Sequence, residues 1–276
     1  MKDEKNINLA ILISGGRSSA MMARHIQTSE KYKKFNKVYI FCNTGMERKE
    51  TFDFLKNIIK FWKIPLIMLE GVYSKTPKIG VKSKIVNFDN VDMKGKVFTK
   101  MIEQMNKYEN KGVPNQAIPY CSDYLKVRVS HDYCREHFQS TKYIKAIGYR
   151  LEDMPKRITF AELKADKTRI APLLTDFEIP INNLLLNDFF NKEPFKLGIH
   201  SKFGNCELCW KKSDNLLIET LQYGTRFIEW HKKEEEKYGN TFFREKKTIN
   251  QLVKISKLGT QIKMFKEEEE GCVCSF

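Results

Sequence analysis

The stretch from Ile11 to Ala20, ILISGGRSSA, constrains this chain more than any other. Leu9 to Ile13 is an unbroken apolar run of strand length, the pattern of a strand buried on both faces. It stops at Ser14-Gly15-Gly16, and a helix-compatible run from Ala20 to Ile26 follows. The expected local structure is strand, glycine turn, helix. Two glycines let a ligand approach the backbone, and the first N–H groups of a helix have no partner within it, so the turn suits an anion. Ser14, Ser18 and Ser19 add hydroxyls, and Arg17 adds a fixed positive charge. A phosphate is the expected guest.

The same alternation continues. Lys37 to Cys42 is a β-branched and aromatic run closed by Asn43-Thr44-Gly45, Glu47 to Trp62 carries apolar residues at helical spacing, and Pro65 to Leu69 reads as a third strand. A βαβαβ order implies a parallel sheet whose ligands bind at the carboxyl ends of the strands. Residues 71–118 are lysine-rich and broken by glycines, with short helical runs such as Lys100 to Tyr108. They read as an insertion, either a solvated excursion or a substrate contact. A helix is expected over Tyr124 to Phe138 and a strand over Tyr143 to Gly148. That strand runs into Tyr149–Arg157, where Arg150 and Arg157 flank Glu152 and Asp153. Two arginines around two carboxylates suit an anion clamp or a surface salt-bridge loop. Arg169 to Leu174 reads as a last strand, and helices are expected over Ile181 to Asn191, Asp214 to Lys237 and Thr248 to Lys266.

With 41% hydrophobic residues over 276, the chain can bury a full core. No apolar run approaches the roughly 20 residues of a membrane span, and the N-terminal MKDEKN has no apolar segment behind it, so a cytoplasmic protein with no membrane partner is expected. Lys and Arg number 49 against 34 Asp and Glu, a net charge of +15 that favours polyanionic partners or reflects a lysine-rich solvated surface. Seven cysteines in such a chain do not suggest a disulfide framework. Cys42 and Cys134 sit in core-like patterns. Cys121 follows a Pro-Tyr loop, Cys206 and Cys209 form C-x-x-C, and Cys272 and Cys274 form C-x-C. On spacing alone, C-x-x-C is compatible with zinc, redox chemistry or an iron–sulfur centre.

Several of these motifs carry a resemblance. Ser14-Gly15-Gly16 with Ser19 resembles the S-G-G-x-[DST]-[ST] pyrophosphate loop of the adenine nucleotide α-hydrolase (PP-loop) superfamily, with Ser18 where many members have Asp. Asn43-Thr44-Gly45-Met46-Glu47 with Glu50-Thr51 resembles the D-T-G-x-x-x-x-E-T element of phosphoadenosine phosphosulfate (PAPS) reductases. Gly148-Tyr149-Arg150 through Arg157 resembles their G-I-R-x-[DE]-[DE]-x-x-R segment. Gly204-Asn205-Cys206 through Ser213 is similar to the G-N-C-x-x-C element of phage and bacterial PAPS reductase-like proteins. The resemblance covers most of the chain outside 71–118 and 215–268.

It implies an α/β fold, a Rossmann-like parallel sheet of the adenine nucleotide alpha-hydrolase type with a helical, cysteine-containing C-terminal region. The implied domains are a nucleotide-binding domain over 1–175 and a helical region over 176–276. Ser14, Arg17, Ser18 and Arg150 are then the expected catalytic residues. Gly15, Gly16, Ser19, Asn43, Thr44, Gly45, Glu47, Gly148 and Arg157 are expected to bind ATP or a related adenine nucleotide, with magnesium as an optional companion ion. Cys121, Cys206, Cys209 and either Cys272 or Cys274 would hold a four-iron four-sulfur cluster, with zinc as the alternative. The implied reaction cleaves the nucleotide at its α-phosphate to activate an acceptor, nucleic acid among the candidates, for sulfur transfer from a sulfur-donor protein. One alternative is a thiol-dependent sulfonucleotide reductase served by a thioredoxin-like reductant, although the E-C-G-[LI]-H motif of cluster-free PAPS reductases is absent. The other is a non-catalytic, basic iron–sulfur protein that binds nucleic acid. For a phage-encoded chain, the expected location is the host cytoplasm.

Overall fold

The structure is a computed structural model that describes residues 7–74 and 80–258, leaving aside the side chain of Tyr108. Its elements follow the hydrophobic pattern. β1 (Asn8–Leu12) and α1 (Arg17–Thr28) are succeeded by β2 (Asn36–Cys42), α2 (Lys49–Trp62), β3 (Leu66–Tyr73), β4 (Val81–Val86) and α3 (Lys96–Glu109). Next come α4 (Arg128–Phe138), β5 (Ile144–Ala146), α5 (Phe160–Ala165), β6 (Arg169–Ile170) and α6 (Pro172–Thr175). The chain continues through α7 (Asn183–Asn191), α8 (Asp214–Tyr223), α9 (Ile228–Tyr238) and α10 (Ile249–Leu258).

The strands form one six-stranded sheet in the order β4-β3-β2-β1-β5-β6. The pairs β1–β2, β1–β5, β2–β3 and β5–β6 are all parallel, so the α/β class stands. From β1 the chain builds outward through β2 and β3, then returns to add β5 and β6 on the other side. The winding therefore reverses between β1 and β5. Leu9, Ala10 and Ile11 have no exposed surface, as expected of a central parallel strand covered on both faces.

The chain divides into two compact units, each built from three segments. The first comprises Met1–Cys42, Glu50–Leu69 and Ser130–Gly198, and the second Asn43–Lys49, Glu70–Val129 and Ile199–Phe276. This differs from a cut at residue 175. Residues 176–198 join the sheet unit because the Trp62 ring packs among Phe189, Phe190 and Phe195 while its Nε1 donates to Glu193 at 2.8 Å.

In the second unit, Val97, Phe98, Met101, Ile102 and Met105 of α3 enter a core with Leu208, Trp210, Leu217, Phe242 and Leu252. Much of the stretch read as an insertion is thus core rather than a solvated excursion. Intervening lysines hide the apolar face of α3, whose helix begins at Lys96. The helix expected over Asp214 to Lys237 is two helices, because the Gly224 N–H turns back to the carbonyls of Thr220 and Leu221. The strand expected over Arg169 to Leu174 keeps two residues, since Pro172 opens α6. α10 ends at Leu258, and the remainder of the expected Thr248–Lys266 helix lies outside the described residues.

One polar knot ties the end of α1 to the end of α6. The buried Asp176 carboxylate accepts from His25 Nε2 at 3.1 Å, Lys31 Nζ at 2.6 Å, Tyr32 Oη at 2.6 Å and Thr175 Oγ1 at 3.0 Å. Burial works to raise this carboxyl, but the four donors outweigh it and hold it below the usual carboxylate range. A group depressed in the folded state contributes stability above its unfolded pKa of about 3.9 and loses it as pH falls further. Unfolding free energy should therefore decline as pH drops below about 4. Asp176→Asn should flatten that decline and cost about 3 kcal/mol at neutral pH, checked by urea denaturation across pH.

Candidate functional site

In the first unit, the turn after β1 is held open by its own backbone. Gly15 has φ +82°, and a Cβ there would stand 2.4 Å from Thr51 Cγ2. Ser19 braces the turn from within: its hydroxyl accepts the Ser14 N–H at 3.0 Å and donates to the Gly16 carbonyl at 3.0 Å. Gly16 occupies the N-cap of α1, where no side chain caps the helix and no acid lies in the first turn. The positive end of the helix dipole is thus left without a carboxylate.

Gly148 brings the end of β5 against this turn. A Cβ at Gly148 would meet the Cα and N of Ser19 at 2.9 Å, a clash with backbone that a rotamer change cannot relieve. The turn therefore sits where the sheet's winding reverses, the crevice in which open α/β sheets bind ligands. At Gly16, by contrast, a Cβ would meet only Ser14 Oγ, at 3.6 Å. Packing within the protein does not demand glycine at that position.

The structure gives each arginine of this unit a partner. Arg17 Nη1 donates to Asn187 Oδ1 at 2.6 Å. Arg150 and Arg157 converge on the buried Asp153. Arg157 Nη1 donates to its Oδ1 at 2.8 Å, the Arg150 backbone N–H donates to Oδ2 at 2.8 Å, and Arg150 Nε lies 3.7 Å from Oδ2. Arg150 also donates to Asn183 Oδ1, and the Arg157 guanidinium lies over the Tyr149 ring. Both arginine side chains keep 18% exposure, so the pair is anchored yet still accessible.

In the second unit, Cys121, Cys206 and Cys209 line one cavity together with Thr44, Lys126, Trp210, Trp230 and His231. The loop after β2 and the cysteine loop are joined by a bridge between Glu47 and Cys206 and by Glu207 N–H donating to the Met46 carbonyl at 3.0 Å. Thr44 Oγ1 lies 3.3 Å from Cys206 Sγ and donates to Glu47 Oε1 at 2.8 Å. Burial pushes the Glu47 carboxyl up, while Lys126 and the Thr44 donors oppose that shift. Asn43 Nδ2 donates to Glu70 Oε1 at 2.7 Å, and its Oδ1 accepts the Gly45 N–H at 3.1 Å. Buried Lys212 donates to the Glu207 carbonyl at 2.9 Å. The Glu207 carboxylate faces Arg48 and Arg226. The His231 Nδ1 lies 2.8 Å from the Phe227 carbonyl. Burial pushes this imidazole down to about 4.

The expected site residues therefore fall into two groups. Ser14 to Ser19, Gly148, Arg150 and Arg157 belong to the first unit; Asn43, Thr44, Gly45, Glu47 and three cysteines belong to the second. The five described cysteines are buried and form no disulfide. Burial pushes the Cys134 thiol up to about 12, the behaviour of a core residue. Among the described residues, no three His, Cys, Asp or Glu side chains are grouped as ligands of a metal ion. Cys272 and Cys274 lie outside the described residues. His231 and Trp230 escape the sequence reading, although an aromatic pair inside the charged run EWHKKEEEK was their signal. No helix among the described residues is long and apolar enough to cross a membrane.

No family model and no solved structure matches the chain. It is 30% identical over 205 residues to an uncharacterized nin region protein, ORF290, of Escherichia phage lambda. That match takes in 74% of this chain and 66% of the relative, so the chain spans just under two thirds of the relative's length.

The two glycines beside the turn should respond unequally to a methyl group. Gly148→Ala should lower unfolding free energy by about 1–3 kcal/mol, because backbone must shift to admit it. Gly16→Ala should lower it less, by about 0.5–1 kcal/mol, the preference for glycine over alanine at an N-cap. Urea denaturation of the two variants beside the parent checks both.

Proposed function

We propose that the chain is a PP-loop enzyme of the PAPS reductase-like type that binds ATP or a related adenylyl nucleotide with its phosphates on residues 14–19. The observation that carries this reading is the contact of Gly148 with Ser19. It sets an uncapped helix N-terminus, free of acidic residues, at the reversal point of a parallel sheet. Gly16 supports it further, as a glycine for which internal packing gives no reason. In the proposed reaction, the bond between the α- and β-phosphates breaks, the acceptor takes the adenylyl group, and a sulfur nucleophile then displaces AMP. Arg17 and the α1 N-terminus would offset the charge developing on the departing pyrophosphate. Arg150 and Arg157, aligned by Asp153, would orient an anionic group of the nucleotide or acceptor.

We propose an iron–sulfur centre in the second unit, a reading supported by the spacing of the C-x-x-C loop and by its two thiols lining one cavity with Cys121. Three buried thiols share a cavity wall with Lys126, and buried Lys212 follows the cysteine loop, so two cations lie in the same unit as the thiols. Cys121, Cys206 and Cys209 would hold the centre, with Cys272 or Cys274 proposed as the remaining ligand. When bound, the centre supplies sulfur-handling and electron-transfer chemistry. Thr44 and Glu47, matched by resemblance to nucleotide contacts, would instead set the surroundings of the Cys206 thiol.

Gly16→Val should abolish ATP binding, a loss of at least about tenfold in calorimetric titration, while circular dichroism stays that of the parent. Unchanged affinity would move the nucleotide elsewhere. Anaerobically purified protein should be brown, with iron and labile sulfide in about fourfold amounts per chain. Cys206→Ser or Cys209→Ser should bleach it, whereas Cys42→Ser and Cys134→Ser should not. Stoichiometric zinc without sulfide would make the cysteines a structural staple. Pyrophosphate among the products supports adenylylation, and sulfite would favour the reductase.

A further inference from the structure

At the end of α8, in the second unit, an aromatic ring stands half out of the protein among cations. Tyr223, the last residue of the helix, is 52% exposed although it packs on the buried Phe203, with ring centroids 4.6 Å apart and planes 17° from parallel. The Arg48 guanidinium lies 4.9 Å from the Tyr223 centroid and 6.0 Å from that of Phe203. A cation over the outer face of Tyr223 would be much farther from Phe203, so Arg48 stands beside the stack, at the ring edges. With one face against Phe203 and an edge against Arg48, Tyr223 turns its other face to solvent. The chain then bends at Gly224, where a Cβ would meet nothing within 4 Å.

The ring is held in place. Buried Arg48 donates from Nη2 to the Gly224 carbonyl at 2.8 Å, and Arg226 Nη2 donates to the Glu47 carbonyl at 2.6 Å. The two arginines thus tie the bend after Tyr223 to the loop that carries Arg48, and an ordered ring loses little freedom when a flat partner lands on it. Charge beside the stack favours an anionic partner. Arg226, which also faces Glu207, keeps 40% exposure, and Lys202 Nζ, paired with Glu219, lies 5.5 Å from the Phe203 ring. The whole chain carries +15. An open ring face beside cations suits a ligand that is flat at one point and anionic at the next, as a base and its phosphates are. Bases stacked inside a duplex have no free face, so the strand that fits is a single one.

We propose that the outer face of Tyr223 is a stacking platform for one base of a single-stranded nucleic acid, with Arg226 and Lys202 serving the adjoining phosphates. For the reaction proposed above, this names the chemical class of the acceptor, and in that one respect it rests on that reading. Binding at Tyr223 itself requires neither turnover nor a nucleotide on residues 14–19.

The test is fluorescence anisotropy of a short labelled oligothymidylate titrated with the full chain, for the parent, Tyr223→Leu, Tyr223→Phe and Lys33→Ala. Tyr223→Leu keeps Phe203 covered but removes the aromatic face, and it should weaken binding about tenfold. Tyr223→Phe restores the face and should bind as the parent does, as should Lys33→Ala, which removes an exposed cation of the first unit. A strand of the same length without bases should bind the parent and Tyr223→Leu equally. The proposal is overturned by a parent that does not bind the oligothymidylate, by equal affinities in parent and Tyr223→Leu, by equal losses in Tyr223→Leu and Lys33→Ala, or by a duplex that binds as tightly as the single strand. A Tyr223→Leu variant that loses ATP affinity but keeps the oligothymidylate would give the face to the base of a free nucleotide, and that too overturns it. None of these results bears on the phosphate site at residues 14–19, which the Gly16→Val titration judges separately. Should Tyr223→Leu not fold, ultraviolet crosslinking of the parent to an iodouridine-substituted strand decides: a crosslink at Tyr223 supports the proposal, and crosslinks only at other residues overturn it.

Discussion

The approach of one strand end to one helix start, possible only because residue 148 has no side chain, fixes the geometry of the first unit. With the Gly148 Cα against the backbone of Ser18 and Ser19, β5 can take its place beside β1 while α1 begins at once after the turn. Any larger residue would push the helix start away from the sheet. The helix N-terminus would then no longer stand at the point where the winding reverses. Gly15 acts on the other flank, its positive φ carrying the chain past Thr51. The Asp176 knot secures the far end of the same helix, so α1 is fixed at both ends while its first turn stays uncapped.

The second unit manages a different difficulty, the burial of charge. Glu47, Glu207, Lys126, Lys212 and Arg48 are each less than a tenth exposed. Ions removed from water are tolerated only with partners, and these are met by one another, by backbone carbonyls and by Thr44. Such a network is an expensive way to build a core from which hydrophobic side chains could have been chosen. Thr44 and Lys126 of this network line one cavity with the three thiols.

Much of the sheet was legible because parallel strands read as continuous apolar runs, and β1, β2 and the start of β5 are of that kind. The glycine turn was legible for the same reason, as an abrupt end to such a run. The contact between Gly148 and Ser19 was not, because it joins residues far apart in sequence and depends on which strands are neighbours. α3 was half-read, since lysines on its solvent side masked Val97, Phe98 and Met101. The break between α8 and α9 was missed because helical periodicity persists across Gly224. Spacing singled out Cys206 and Cys209, and Cys121 was singled out by its place after a Pro-Tyr loop and by resemblance. The indole and imidazole beside them were not, because their helix and loop positions resemble ordinary aromatic core.

The two units interleave along the chain, and this has a consequence for vectorial synthesis. All segments of the sheet unit have been made once the ribosome passes Gly198, whereas the second unit still awaits residues from Ile199 onward. Until then the apolar face of α3 and the Cys121 thiol lack the late residues that cover them, among them Leu208, Phe242 and Leu252. Units of high sequence separation close slowly, and their unfinished surfaces invite association. The nascent chain therefore passes through an interval in which a sheet is complete and a sticky, thiol-bearing half-core is not, the interval in which a holding chaperone has most to offer.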